Sequence, residues 1–188
     1  MKNRIVFAVS GASGAPLAAA ALKFFAGLDD LEVFLIVSRA ARLVMSREGG
    51  AACEDYERLA TRSFGPEDFA APMASGSWQN AGMIVCPCSM SSLAAIATGA
   101  GTNLIHRAAD VALKERRPLI LAIRETPYSL IHIRNMLAAT EAGATIMPFN
   151  PAYYSGDDTL EGLARQFAGR LLDQLRLPHN LCRRWGEN

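Results

Sequence analysis

Lysine is scarce in this chain: of 19 cationic side chains only Lys2, Lys23 and Lys114 are lysines, and the other sixteen are arginines. The planar arginine fork binds phosphate and carboxylate through paired hydrogen bonds, whereas lysine is a more readily solvated point charge; a GC-rich coding bias would give the same ratio. Net charge is lacking as well. The 19 cations face 18 acids, leaving +1, which excludes a global field drawing the chain to nucleic acid or anionic lipid. Any anion recognition is therefore local. The four cysteines contain no Cys-x-x-Cys pair, so neither a zinc site nor a disulfide framework is expected, and a reducing cytosol is the expected compartment. The nearest two, Cys86 and Cys88, are expected to point to opposite faces of a strand end. Long apolar runs are missing too: nothing approaches the ~18 residues of a membrane span. The apolar stretch 5–9 is too short for a secretory signal, and Gly11 and Gly14 break its continuation into the alanine-rich segment.

What is present is apolar material to bury: 51% of the 188 residues are hydrophobic and 20% charged, with a mean hydropathy of +0.13. That length favours a single domain spanning 1–188, with a tail from about 176 docking on the core or on a neighbouring subunit. Short, nearly continuous apolar runs at 4–9, 32–37, 83–86, 119–123 and 145–147 read as strands covered on both faces. Helix-length segments at 15–26, 40–48, 91–98, 104–115, 130–142 and 159–175 alternate with them. Segment 49–76, rich in glycine and proline, is expected to carry short helices or a loop. The alternation predicts an α/β fold: one doubly wound, mostly parallel sheet in a Rossmann-like or flavodoxin-like three-layer sandwich.

Open sheets of this kind bind ligands at the carboxyl ends of their strands. The first four runs are followed by Ser10-Gly11-Ala12-Ser13-Gly14, Ser38-Arg39, Pro87-Cys88-Ser89-Met90-Ser91-Ser92 and Arg124-Glu125-Thr126-Pro127. A glycine- and serine-rich turn opening a helix offers amides and a positive dipole end to a phosphate. Each serine is singly well explained as an N-cap; three such strand ends beside Arg124 point to a ligand. The first turn lacks the third glycine of a dinucleotide fingerprint, and the second strand ends in Ser38 rather than an acid for ribose. A mononucleotide such as FMN is favoured, although Arg39 keeps an NADP-dependent dehydrogenase open.

Taken with these loops, several further stretches carry a resemblance: Ala74-Ser75-Gly76-Ser77, Cys86-Pro87-Cys88-Ser89, the unbroken block Arg107 to Leu119, Ile146-Met147-Pro148, Pro151-Ala152-Tyr153-Tyr154 and Arg184-Trp185. Over almost its whole length the chain resembles the UbiX-type flavin prenyltransferases, within the homo-oligomeric flavin-containing Cys-decarboxylase-like proteins. The resemblance implies a metal-independent transferase that moves a dimethylallyl group from dimethylallyl monophosphate to N5 and C6 of reduced FMN. The prenylated FMN would serve a UbiD-type decarboxylase. It also implies that Gly11, Ala12, Ser13, Ser38, Ser89, Met90, Ser91, Ser92 and Arg124 hold FMN. Arg107, Lys114, Glu125, Tyr154 and Arg170 would surround the prenyl phosphate, from more than one subunit of an oligomer, often a dodecamer, with Trp185 nearby.

Charge chemistry agrees with those roles. Departure of an allylic phosphate needs cations at the oxygen and an electron-rich surface at the carbon. Glu125 is expected to be a buried acid, its pKa raised by desolvation, protonating the phosphate. Glu48, with Ser13 near flavin N5, is the expected base. Of the tyrosine pair, Tyr153 is expected in the core and Tyr154 at the site. Departures from the family pattern are Leu17, where tyrosine is common, and Ser155, where histidine is usual. Two rival functions remain open: an FMN-dependent decarboxylase of the same fold, and a non-catalytic flavin-carrying subunit.

Overall fold

The computed structural model describes residues 2–48 and 52–186. Six strands, β1 (Asn3–Val9), β2 (Leu31–Val37), β3 (Arg62–Phe64), β4 (Gly82–Cys88), β5 (Leu119–Ile123) and β6 (Thr145–Ile146), pair entirely in parallel in the order β3-β2-β1-β4-β5-β6. This is the Rossmann order; without the three-residue edge strand β3 it reduces to the flavodoxin order. Sequence periodicity does not reveal β3, because two of its three residues are exposed and so short a polar segment shows no strand pattern.

Helices α1 (Ala15–Ala26), α2 (Arg39–Glu48), α3 (Cys53–Leu59) and α7 (Leu160–Gln174) cover one face; α4 (Met90–Thr98), α5 (Leu104–Lys114) and α6 (Leu130–Glu141) cover the other. Strand side chains divide accordingly. Ile5, Phe7, Val9, Val33, Leu35 and Ile84 pack under α1 and α7, while Val6, Ala8, Phe34, Ile36, Met83 and Val85 pack under α4 and α5. Alternation with period two places them there. Small side chains at Ala18 and Ala21, both fully buried, let α1 lie close to the sheet.

Cys86 and Cys88 do fall on opposite faces, but not for the reason regular alternation would supply, since residues two apart share a face. The β4–β5 ladder shifts register between Val85 and Cys88, and Pro87 between them has no amide to continue it. Both thiols are fully buried, and desolvation pushes the Cys86 pKa up to about 12. None of the four cysteines forms a disulfide among the described residues.

Two surfaces depart from ordinary burial. On α6 only Ala139 is buried, while Leu130, Ile131, Ile133 and Leu137 are all more than half exposed. The tail after α7 folds back so that Leu177 and Leu181 pack on the core. No helix among the described residues is long and apolar enough to cross a membrane.

Candidate flavin and prenyl-phosphate site

The chain reverses direction across the sheet between β1 and β4, and four loops meet there. Main-chain bonds stitch them together: the Ser38 amide donates to Val9 O at 3.0 Å, the Ser10 amide to Pro87 O at 3.1 Å and the Arg124 amide to Cys88 O at 3.2 Å. Ser10 adds a second stitch. Its hydroxyl donates to Pro87 O at 2.9 Å and accepts from the Ser89 amide at 2.7 Å. The sequence assigns Ser10 no role of its own; a hydroxyl at the very end of an apolar strand is the one signal that could have marked it. Gly11 is required by proximity, because a Cβ there would lie 2.5 Å from the Cβ of Ala40 at the start of α2. Gly14 has φ 122°, a conformation that side chains strain.

Gly14 is also the N-cap of α1 and has no side chain to cap with. Glu48, at the end of α2, supplies the missing group. Its carboxylate accepts from the Gly14 amide at 3.0 Å and the Ala15 amide at 2.9 Å, and from the Ser13 side chain. Tyr56 of α3 donates to Ala15 O at 2.6 Å and braces the same turn. This corrects one expectation: the α1 amides offered to a ligand phosphate are taken by the protein's own carboxylate. Burial raises the Glu48 pKa, but the bonds from Ser13, Ala15 and Gly14 and the charge of Arg124 outweigh it and hold the pKa below the ordinary value. Glu48 is therefore ionised at neutral pH, as a proton acceptor must be.

The other loops retain donors. Ser38 and Ser89 are N-caps, accepting from the amides of Ala41 at 3.0 Å and Ser92 at 3.2 Å. Met90 and Ser91 are the first residues of α4, so their amides have no acceptor inside the helix. Ser92 points inward: it is buried, accepts from Ser89 Oγ at 3.2 Å and lies 3.5 Å from His106 Nε2. Arg124 is exposed and makes no ion pair among the described residues. Ser13, Gly14, Glu48, Pro87 and Arg124 line one end of a cavity of about 730 Å³ that runs between α1 and α7 past Leu17, Phe24, Ala164 and Phe167. A guanidinium and a few polar groups at one end, with apolar walls beyond, fit a ligand that carries an anionic group and a flat ring with polar edges, as FMN does.

Residues expected at the prenyl phosphate are not gathered within one chain. Arg107 on α5 donates to Ala74 O at 3.1 Å and pairs with Asp110; Lys114 pairs with Glu115. Both lie on the α4–α6 side, whereas Arg170 lies on α7 across the sheet. Tyr154 meets Trp185 edge to face, with ring centroids 5.2 Å apart. Two expectations are corrected here. Tyr153 is not core but 91% exposed, because it sits in a one-turn segment, Tyr153–Ser155, and not on an extended one. Glu125 is half-buried, not buried; it stands in the loop beyond β5, where its carboxylate accepts from the Thr126 amide at 2.9 Å.

Comparison with known proteins decides the family. Residues 1–167 match the Flavoprotein family. The flavin prenyltransferase UbiX of Deinococcus radiodurans is 45% identical over 185 residues, covering 98% of this chain and 94% of that protein. The chain belongs to the UbiX flavin prenyltransferase family. Among solved structures, AnUbiX (PadA1), crystallised with FMN and dimethylallyl pyrophosphate, superposes with a TM-score of 0.94 at 43% identity, covering 100% of this chain and 99% of that one. A dodecameric FMN-dependent Ubix-like decarboxylase from Escherichia coli O157:H7 superposes with a TM-score of 0.92 at 40% identity, over 98% of this chain and all of that one.

Within this UbiX-family chain the strand-end loops and the tail differ in how openly the sequence displays them. The loops announce themselves by glycine and serine. The tail's chief organiser, Asp173, sits in an unremarkable helical stretch and escapes sequence reasoning, since nothing local distinguishes an acid that meets arginines 3 and 11 positions away.

Proposed function

We propose that this chain transfers a dimethylallyl group from dimethylallyl monophosphate to reduced FMN, without a metal, and that the prenylated flavin serves a UbiD-type decarboxylase. The supporting observation is the ionised Glu48, held by Ser13, Gly14 and Ala15 beside Arg124 at the mouth of the apolar cavity. Reduced FMN, when bound, supplies the nucleophilic N5 and C6.

The protein's part is positioning and proton handling. Ser38, the first amides of α4 and Arg124 bind and orient the mononucleotide, with Gly11, Ala12 and Ser89 shaping the loops that touch it. Glu48 accepts the proton lost at N5, returns it to the prenyl double bond and then accepts the one lost at C6 as the ring closes, while Ser13 keeps its carboxylate in place. Arg107, Lys114, Tyr154 and Arg170 hold the donor phosphate and stabilise the charge that grows on it as the carbon departs. Glu125 lines the same pocket from the loop beyond β5. Trp185 presents its ring to the cationic prenyl fragment. Because α5 and α7 lie on opposite faces of the sheet, a second copy completes the pocket, and the exposed apolar row on α6 suits burial between copies of a closed homo-oligomer such as a dodecamer. Four cysteines outside any disulfide among the described residues fit a cytosolic setting.

The deciding experiment is anaerobic incubation with reduced FMN and either dimethylallyl monophosphate or the pyrophosphate, in chelator, followed by mass analysis of the flavin. A five-carbon gain is expected with the monophosphate. Unchanged flavin with both donors would refute the transferase reading.

A further inference from the structure

Asp173 is the most heavily engaged acid in the molecule. Its Oδ2 accepts from Arg170, one turn earlier on α7, at 2.5 Å, and its carboxylate takes both Nη atoms of Arg184, at 2.9 and 3.2 Å. His179 adds a bond of 2.9 Å to Oδ1. The other ring nitrogen of His179 accepts the Leu181 amide at 3.1 Å, so the Nε2 proton is the one donated to Asp173. The imidazole is fully buried and the Asp173 side chain is only 14% exposed. Burial alone raises the Asp173 pKa, yet bonds from Arg184, His179 and Arg170 bring it down to about 2.

Cys182 lies close enough to join Asp173 and His179 as a trio of metal-ligand types. The bonds just given argue for another use: the carboxylate already faces two guanidinium groups, and both imidazole nitrogens have partners. An isolated Arg170–Asp173 pair at i, i+3 would be an ordinary solvated contact. Here the pair is joined by a side chain from the returning tail and by a buried histidine, so one carboxylate sets the direction of two arginines from different segments. Arg184 directly precedes Trp185, whose ring meets Tyr154.

We propose that Asp173 is a positioning residue for the prenyl donor: through Arg170 on one side and Arg184 on the other it holds the arginine, Tyr154 and Trp185 as one pre-set wall of the phosphate pocket. The proposal rests on the reading that Arg170, Tyr154 and Trp185 face the donor. A second tether makes it separable from mere tail attachment. Buried Gln166 donates to Arg183 O and accepts from the Arg183 amide, each at 2.9 Å, and Gly169 lets the tail press close, since a Cβ there would lie 2.9 Å from Cys182 Cβ and His179 Cε1. Removing the charge of Asp173 therefore leaves the tail attached and takes from the two arginines the carboxylate they share.

The test compares Asp173→Asn, Asp173→Glu, Arg184→Gln and Arg170→Ala in steady-state prenylation. Trp185 emission is followed in a Trp78→Phe background, which leaves Trp185 as the sole tryptophan. For Asp173→Asn the KM for dimethylallyl monophosphate should rise about tenfold, with kcat within about twofold and FMN affinity unchanged. Trp185 emission should shift, and Asp173→Glu should recover part of the KM. Arg184→Gln should reproduce a smaller KM rise, and keeps the proposal testable if Asp173→Asn does not fold. An unchanged or lowered KM in Asp173→Asn, against a raised one in Arg170→Ala, overturns the proposal, because Asp173 would then only neutralise Arg170. An unchanged KM in Arg170→Ala overturns the reading beneath it.

Discussion

The proposed flavin cradle is made of backbone amides and short hydroxyl side chains that one chain brings together, whereas the cations proposed for the donor phosphate are long side chains spread over both faces of the sheet. In the cradle, position follows from the ladder: Ser38, Ser10 and Arg124 are tied to neighbouring strands through their own amides. Among the cations, position follows from partners. Arg107 leans on Ala74 O and Asp110, Lys114 on Glu115, Arg170 on Asp173. The sheet separates Arg107 and Lys114 on α5 from Arg170 on α7. On the proposed reading, one subsite is complete within a chain and the other is completed by assembly, so damage to them should behave differently.

The largest effect is expected inside the cradle. Gly11→Val forces a side chain into the 2.5 Å approach to Ala40, and overpacking of this kind should weaken FMN binding by about a hundredfold; titration of flavin fluorescence measures it. Mixing this variant with any other subunit should not restore its own site.

The donor residues should respond in the opposite way to mixing. Arg107→Ala and Arg170→Ala should each lower prenylation by roughly a hundredfold, yet co-assembled subunits should regain activity in about a quarter of the sites, where both arginines come from intact copies. Failure of the mixture to exceed either parent would show that a single chain supplies both residues.

A charge on the exposed row of α6 should sharpen the same distinction. Ile131, 68% exposed in the single chain, carries no weight in its core, so Ile131→Asp should leave FMN binding nearly intact while light scattering reports smaller particles and prenylation falls.

The smallest effect concerns pH. Glu48 has a lowered folded pKa, so its capping of α1 is present above its unfolded pKa and is lost as pH falls through the folded one. The stability gap between the wild type and Glu48→Gln should therefore be widest near neutrality, at about 1 kcal/mol or less for a helix-terminal charge, and should close in acid. A gap that stayed constant down to about pH 3, below the ordinary carboxylate range, would remove Glu48 from this role.

Much of the fold is legible in the residues themselves. The strands at 4–9, 32–37 and 119–123 differ from β1, β2 and β5 by at most a residue at one end, because fully covered parallel strands are continuous apolar runs. In the loops after the first two, Gly14 and the N-cap Ser38 answer to local conformation, whereas Gly11 answers to the distant Ala40. The features that escape are either too short, as with Arg62–Phe64, or locally featureless, as with Asp173. Tyr153 defies expectation because alternation holds only for extended backbone, and its segment turns.

Periodicity and turn chemistry, which depend on residues a few positions apart, determined from the sequence alone that this chain would be a parallel α/β sheet with polar, glycine- and hydroxyl-bearing strand ends. The tertiary structure decided which partners those ends receive. That Glu48 occupies the α1 amides 34 positions away, that Ser10 reaches Ser89 across 79, and that Arg107 and Arg170 lie on opposite sides of the sheet are consequences of strand order and helix placement. These contacts form only when the whole core closes, and no window of neighbouring residues encodes them.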